Sequence, residues 1–134
     1  MSGLKKFQSQ ITFMYFKDIK PAITFFEDIM GFELIDDQGW ARIYRTAGNA
    51  YLGAVTGEKA FHQPQEKNAV LVTLAVDDVP AWYDYLREKG VKILRELQDR
   101  PDNMVRCFFI EGPGGYSFEI QEFLRPDLAK IFHR

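Results

Sequence analysis

The chain is poor in several features that mark whole classes of protein. It has one cysteine, Cys107. No intramolecular disulfide can form, and a lone strand cysteine in a reducing, cytoplasmic setting is expected as a small core residue. Charge of either sign is nearly balanced, 17 basic against 19 acidic residues for a net −2. A field this weak favours neither nucleic acid nor an anionic membrane surface. No long apolar run is present: Ile11 to Phe16 stops at Lys17-Asp18, too short for a signal peptide or a membrane span. Histidine is scarce, with His62 in a polar stretch and His133 in the tail. Neither has a neighbour of metal-ligand character at i+4 or on an adjacent strand, so both are expected at the surface.

Aromatic residues, by contrast, are plentiful: 15% of the chain, twelve of them Phe. A chain of 134 residues with 46% hydrophobic content is long enough to bury one real core.

Residues 1–9 read as a loose arm, and Ile11–Phe16 as a β-branched and aromatic strand. Pro21 opens a helix in which Ala22, Phe25, Phe26 and Ile29 form one apolar stripe, and Gly31 caps it. Strands follow at Phe32–Ile35, Trp40–Arg45 and Tyr51–Val55, with turns at 36–39 and 48–49. Residues 58–68 are polar and aperiodic, a linker. Beyond it, Val70–Val76 is a strand, and Pro80 opens a second helix with Val79, Trp82 and Leu86 on its stripe, capped by Gly90. Val91–Leu97 is a strand and residues 99–103 a loop. Val105–Ile110 and Ser117–Glu122 close a hairpin around Gly112-Pro113-Gly114-Gly115. After Pro126 a short terminal helix is expected over 125–134.

The two halves repeat. Phe16-Lys17-Asp18-Ile19 leads to Pro21-Ala22 as Val76-Asp77-Asp78-Val79 leads to Pro80-Ala81, with one extra residue in the first copy. Each copy then runs helix, glycine and three strands. The expected fold is α+β: two tandem βαβββ modules, about 10–57 and 69–123, with a tail over 124–134, making a cupped mixed sheet.

The most specific stretch is Arg106–Glu119, R-C-F-F-I-E-G-P-G-G-Y-S-F-E. Together with Asp18-Ile19 to Gly31-Phe32, it resembles the vicinal oxygen chelate superfamily of glyoxalases, bleomycin-resistance proteins and ring-cleaving dioxygenases. That family's run is R-x-F-x-F-x-D-P-D-G-N-x-I-E, and Arg106, Phe108, Pro113, Gly115 and Glu119 match it. The resemblance covers about residues 10–123. It implies a small-molecule site, a homodimer and, in the family's metalloenzymes, one divalent ion held by four side chains. At the corresponding positions this chain carries Ile11, Gly53, Leu71 and Glu119. Three of these have no ligating atom, so no metal and no other cofactor is expected.

Strand alternation sets Ile11, Phe13 and Tyr15, Tyr51, Gly53 and Val55, and Leu71, Thr73 and Ala75 on the cup's inner face with Ser117, Glu119 and Gln121. The candidate ligand-binding residues are therefore Phe13, Tyr15, Tyr51, Thr73, Arg106, Phe108, Ser117, Glu119 and Gln121. Glu119 is a pocket carboxylate for a ligand cation or donor, or a structural acid paired with Arg42 or Arg106. It is the catalytic base if the protein is an enzyme. Tyr15 and Tyr51 orient a ligand or simply fill the cup. Trp40 and Trp82 read first as packing residues, with stacking of a planar ligand on Trp40 as the other reading. Asp36-Asp37 and Asp77-Asp78 read as turn and helix-entry acids. The expected function is metal-independent binding and sequestration of an apolar or aromatic small molecule, bleomycin-resistance fashion. The alternatives are a glyoxalase-like lyase or dioxygenase with atypical metal ligands, and a metal-free isomerase or cyclase using Glu119.

Overall fold

The computed structural model describes residues 6–100 and 105–133. The expected arm at 1–9 lies only partly within them, and the loop at 99–103 falls mostly outside. The chain divides into two units, Met1–Gln65 and Glu66–Arg134.

The first unit is built from β1 (Gln10–Tyr15), α1 (Lys20–Ile23) running into a π-helical segment (Thr24–Ile29), β2 (Glu33–Asp37), β3 (Ala41–Ala47) and β4 (Ala50–Val55). Its sheet has the order β1-β4-β3-β2, with β1 parallel to β4 and the other pairs antiparallel. The second unit repeats this with β5 (Leu71–Ala75), α2 (Val79–Glu88), β6 (Ile93–Arg100), β7 (Val105–Glu111) and β8 (Ser117–Phe123), in the order β5-β8-β7-β6. A short helix α3 (Pro126–Phe132) follows. Two four-stranded mixed sheets from tandem βαβββ modules is the α+β fold expected.

Each sheet covers one face with its own helix. In the first unit Phe26 is fully buried, and its ring meets those of Phe16, Phe25, Phe32 and Tyr44. In the second, the Tyr83 ring of α2 meets buried Phe108 edge-on, and Phe118, Ile120 and Ile110 complete that layer. Both helices end at glycines in the left-handed region, Gly31 and Gly90, where a Cβ is disfavoured.

The first helix departs from regular α geometry. It holds one residue more than its counterpart between the entry acid (Asp18 or Asp78) and the closing glycine. That residue is absorbed as π-helix, seen in the Met30 N–H bond to the Phe25 carbonyl at 2.8 Å. A five-residue closure brings Met30, not Ile29, over Phe25. Met30 is accordingly buried while Ile29 is only half-buried.

The entry acids act as expected: Asp18 accepts from the Lys20 N–H and Asp78 from the Ala81 N–H. Pro113–Gly115 forms a 3-10 turn with Gly114 and Gly115 at positive φ. It is closed by the Gly112 N–H donating to the Tyr116 carbonyl at 2.7 Å.

His133 departs from its expected surface role. Its Nε2 accepts the Phe123 N–H at 3.0 Å, and its ring lies edge-on to Phe123, which also stacks on Phe132. The acceptor fixes His133 against the end of β8, a tertiary contact that its position in a polar tail does not announce.

Candidate functional site

In each unit the face without a helix carries the candidate residues, Arg106 and Phe108 excepted. In the first, the register Ile11↔Tyr51, Phe13↔Gly53 and Tyr15↔Val55 places those six residues on one side. Ala41, Ile43 and Arg45 join them from β3 through Val55, Gly53 and Tyr51. The Phe13 ring lies on Gly53 so closely that a Cβ there would sit 2.2 Å from Phe13 Cδ1. Any side chain at this position requires the Phe13 ring to move aside.

A cavity of about 230 Å³ opens on this face, lined by Phe13, Tyr15, Gln38, Trp40, Ala41, Ile43, Val55 and Phe61. Phe13 and Trp40 remain 42% and 37% exposed. Trp40 thus lines the cavity and is also partly buried, which leaves room for both the packing and the ligand-stacking reading. Phe61 comes from the polar linker and has no signal in local periodicity. His62 beside it is exposed, as expected, but sets its ring edge-on to Tyr15 and Phe61. The Tyr51 hydroxyl is engaged by Arg45 Nη1 at 2.7 Å, and the Arg45 guanidinium lies over the Tyr51 ring. Arg45 also reaches Glu33 and the Gly48 carbonyl.

Behind the sheet, Glu27 on the π-helical segment accepts from Arg42 Nη1 at 2.6 Å and from the Tyr44 hydroxyl at 2.7 Å. Arg42 also pairs with Asp37. Burial, and then the bond to Glu27, push the Tyr44 hydroxyl well above its ordinary range.

In the second unit the helix-free face carries Leu71, Thr73 and Ala75 from β5 and Ser117, Glu119 and Gln121 from β8. Glu119 is 8% exposed. Its Oε1 accepts from Thr73 Oγ1 at 2.9 Å and its Oε2 from Gln121 Nε2 at 3.0 Å. Both carboxylate oxygens are thus held in place. From β7, Cys107 and Phe109 share this face, opposite Gln121 and Glu119 respectively. Cys107 is buried, and burial, with the charge and hydrogen bonding of Glu119, pushes its thiol pKa up. It is a buried core thiol on the same face as the carboxylate.

The structure separates Arg106 and Phe108 from this group. They pair with Glu122 and Ile120, residues of the opposite, helix-covered face. Phe108 is fully buried against Tyr83. Arg106 binds Asp99 at 2.7 Å and approaches Glu122, which itself accepts the Val79 N–H at the start of α2. Both residues hold β6, β7, β8 and α2 together. They do not line the ligand face. Of the partners suggested for Glu119, Arg106 lies on the other face of the same sheet and binds Asp99.

The family's metal does not fit these residues. Of the four positions, Ile11 and Leu71 end in alkyl groups, and the space beside Gly53 is filled by the Phe13 ring. Among the described residues no three His, Cys, Asp or Glu side chains gather into a metal-binding group. Glu119 alone would give a divalent ion one ligand group.

Duplicated βαβββ modules, each with an open aromatic or polar face, define a glyoxalase-like class of protein. The glyoxalase/bleomycin resistance protein/dioxygenase superfamily matches residues 9–120, and the chain belongs to it. It is similar to the protein YwbC of Bacillus subtilis (strain 168), 31% identical over 111 residues, covering 74% of this chain and 84% of that one. Among solved structures it is similar to a glyoxalase/bleomycin resistance protein/dioxygenase from Nocardioides, with a TM-score of 0.73 and 18% identity over 93% of this chain and 89% of that one. TioX from Micromonospora sp. ML1 superimposes with a TM-score of 0.72 and 18% identity, over 87% of this chain and 99% of TioX. At this identity the structural likeness establishes the fold. No helix among the described residues is long and apolar enough to cross a membrane.

Proposed function

We propose that this is a metal-independent small-molecule-binding protein that holds an apolar or aromatic ligand against the open face of its first sheet. The observation that carries this reading is the cavity in which Phe13, Trp40 and Phe61 present exposed rings around a floor of Ile43 and Val55. Apolar walls supply area for binding, and Gln38 at the rim supplies one hydrogen-bonding group for orientation. The Phe13 ring over Gly53 supports the metal-free part, since it occupies the space a ligating side chain would need.

In this reading Glu119 is a fixed hydrogen-bond acceptor for a cationic or donor group of a ligand. Its two oxygens are already oriented by Thr73 and Gln121, which suits recognition better than a carboxylate that must swing to take a proton. Leu34 and Ile35 on β2 and Leu94 on β6 leave apolar side chains exposed on the outermost strands of the two sheets. Association with a second copy covers such surface, so the working form is taken to be a homodimer, readable by sedimentation equilibrium.

Equilibrium dialysis with 2-naphthol tests the central claim. Saturable binding is expected, unchanged by ethylenediaminetetraacetate, and weakened roughly tenfold by Trp40→Ala, equivalent to about 1.4 kcal/mol. Binding that the chelator abolishes, or that ignores Trp40, would overturn it.

A further inference from the structure

We propose that the open face of the second sheet carries an oxyanion subsite centred on Arg95, one that takes a carboxylate-, phosphonate- or sulfate-type group. The inference rests on the reading of the helix-free faces as ligand surfaces and adds the charge of the group that the second sheet takes. Among the described residues, Arg42, Arg45, Arg106 and Arg125 each form an ion pair with an acid. Arg95 has no such pair there. Its guanidinium instead lies over the Phe109 ring, 4.9 Å from the centroid, on an exposed side chain. A guanidinium seated over a ring keeps its N–H donors available, and a guanidinium can take an oxyanion bidentately.

The neighbours of Arg95 suit this role. Across the sheet the register runs Arg95↔Phe109↔Glu119↔Thr73, one row on one face. A guanidinium, an aromatic ring and a fixed carboxylate thus stand in line, the two charges two strand spacings apart, roughly 10 Å. Arg100 shares the face through its pairing with Val105 and adds positive charge, while Glu111 lies toward the other end of β7. The acids flanking in sequence are diverted to the other side: Asp99 to Arg106, and Glu96 to the Tyr83 hydroxyl. A ligand with an oxyanion at one end, a planar body, and a donor at the other matches the row group by group.

The full chain, titrated with benzoate, 4-(aminomethyl)benzoate and benzyl alcohol while the Arg95 Nε–H resonance is followed by NMR, tests this. Both carboxylates are expected to shift that resonance, the dipolar one binding more tightly. Arg95→Gln should weaken benzoate at least fivefold and leave benzyl alcohol unchanged; Arg95→Lys should fall between. Phenylphosphonate in a parallel titration distinguishes the preferred oxyanion by its affinity relative to benzoate. Absence of benzoate binding, or equal binding by wild type and Arg95→Gln, overturns the subsite. If benzoate depends on Arg95 while 2-naphthol binding ignores Trp40→Ala, the subsite stands and the aromatic-cavity reading fails.

Discussion

The two units share one register and place different chemistry on it. Phe13↔Gly53 in the first sheet and Thr73↔Glu119 in the second are the same cross-strand pair, between the first and last strands of a module. In one unit the last strand gives up its side chain and the first strand's ring lies in the vacated space. In the other the last strand keeps a carboxylate and the first strand supplies a hydroxyl to hold it. The backbone of the duplicated module is indifferent to the choice, because both pairs lie on the face away from the helix. The helix side shows the reverse. Both units fill it with large apolar groups and thread ionic contacts through it, Asp99 to Arg106 and Glu122 in the second and, in the first, a network from Glu27 to Arg42 and Tyr44.

Breaking that network gives the largest expected contrast between the units. Glu27→Ala removes the acceptor of both Arg42 and Tyr44 and leaves a guanidinium whose buried Nε has no partner. Loss of one member of a buried pair costs about 3–5 kcal/mol. This pair is a quarter exposed, so the expected loss is about 2–3 kcal/mol by urea denaturation. Glu27→Gln, which keeps an acceptor, should lose about half as much. Hydrogen exchange should show the loosening in the first sheet and not the second. Equal loosening of both sheets would contradict the independence of the two helix faces.

A swap sharpens the comparison at the open faces. Gly53→Glu copies the second unit's carboxylate into the first but collides with the Phe13 ring, for an expected cost of about 1–2 kcal/mol. Adding Phe13→Thr clears the space and supplies the hydroxyl. The double variant should be more stable than the sum of the single losses predicts, by at least about 0.5 kcal/mol. Strict additivity in a double-mutant cycle would mean that the ring does not occupy the carboxylate's place.

The repeat, both helix caps and the polarity of the two sheet faces were legible because each depends on local periodicity and turn chemistry. The inward set Phe13, Tyr15, Thr73 and Glu119 follows from alternation alone. Arg106 and Phe108 entered through a motif, and a motif does not say which face its members occupy. The register Cys107↔Gln121, which decides it, is set by the backbone of the 3-10 turn. Arg95 was hidden for a different reason. The β6–β7 pairing shifts on both sides of it, and each bulge resets the alternation that a sequence reading counts. Phe61 reaches the cavity from an aperiodic stretch, a tertiary placement that no pattern around it encodes. The π-helical segment was foreshadowed only by the extra residue of the first copy.

The smallest expected effect concerns how each sheet ties down its outermost strand. In the first, Glu33 and Asp37 on β2 pair with Arg45 and Arg42 on β3. In the second, Asp99 on β6 meets Arg106 on β7. The hydrogen bond from Arg106 holds the Asp99 carboxyl below its ordinary value. A carboxylate whose pKa is lowered by folding stabilises the folded state fully above its unfolded pKa, about 3.9, and loses that contribution as pH falls through the folded value. Asp99→Asn should therefore lower the urea midpoint slightly at neutral pH, with the difference from wild type closing below about pH 4. A difference that persists unchanged into acid would show that Asp99 acts by packing rather than by charge. Hydrogen exchange confined to β6 and β7 would show that each sheet secures its edge separately, as the separate registers imply.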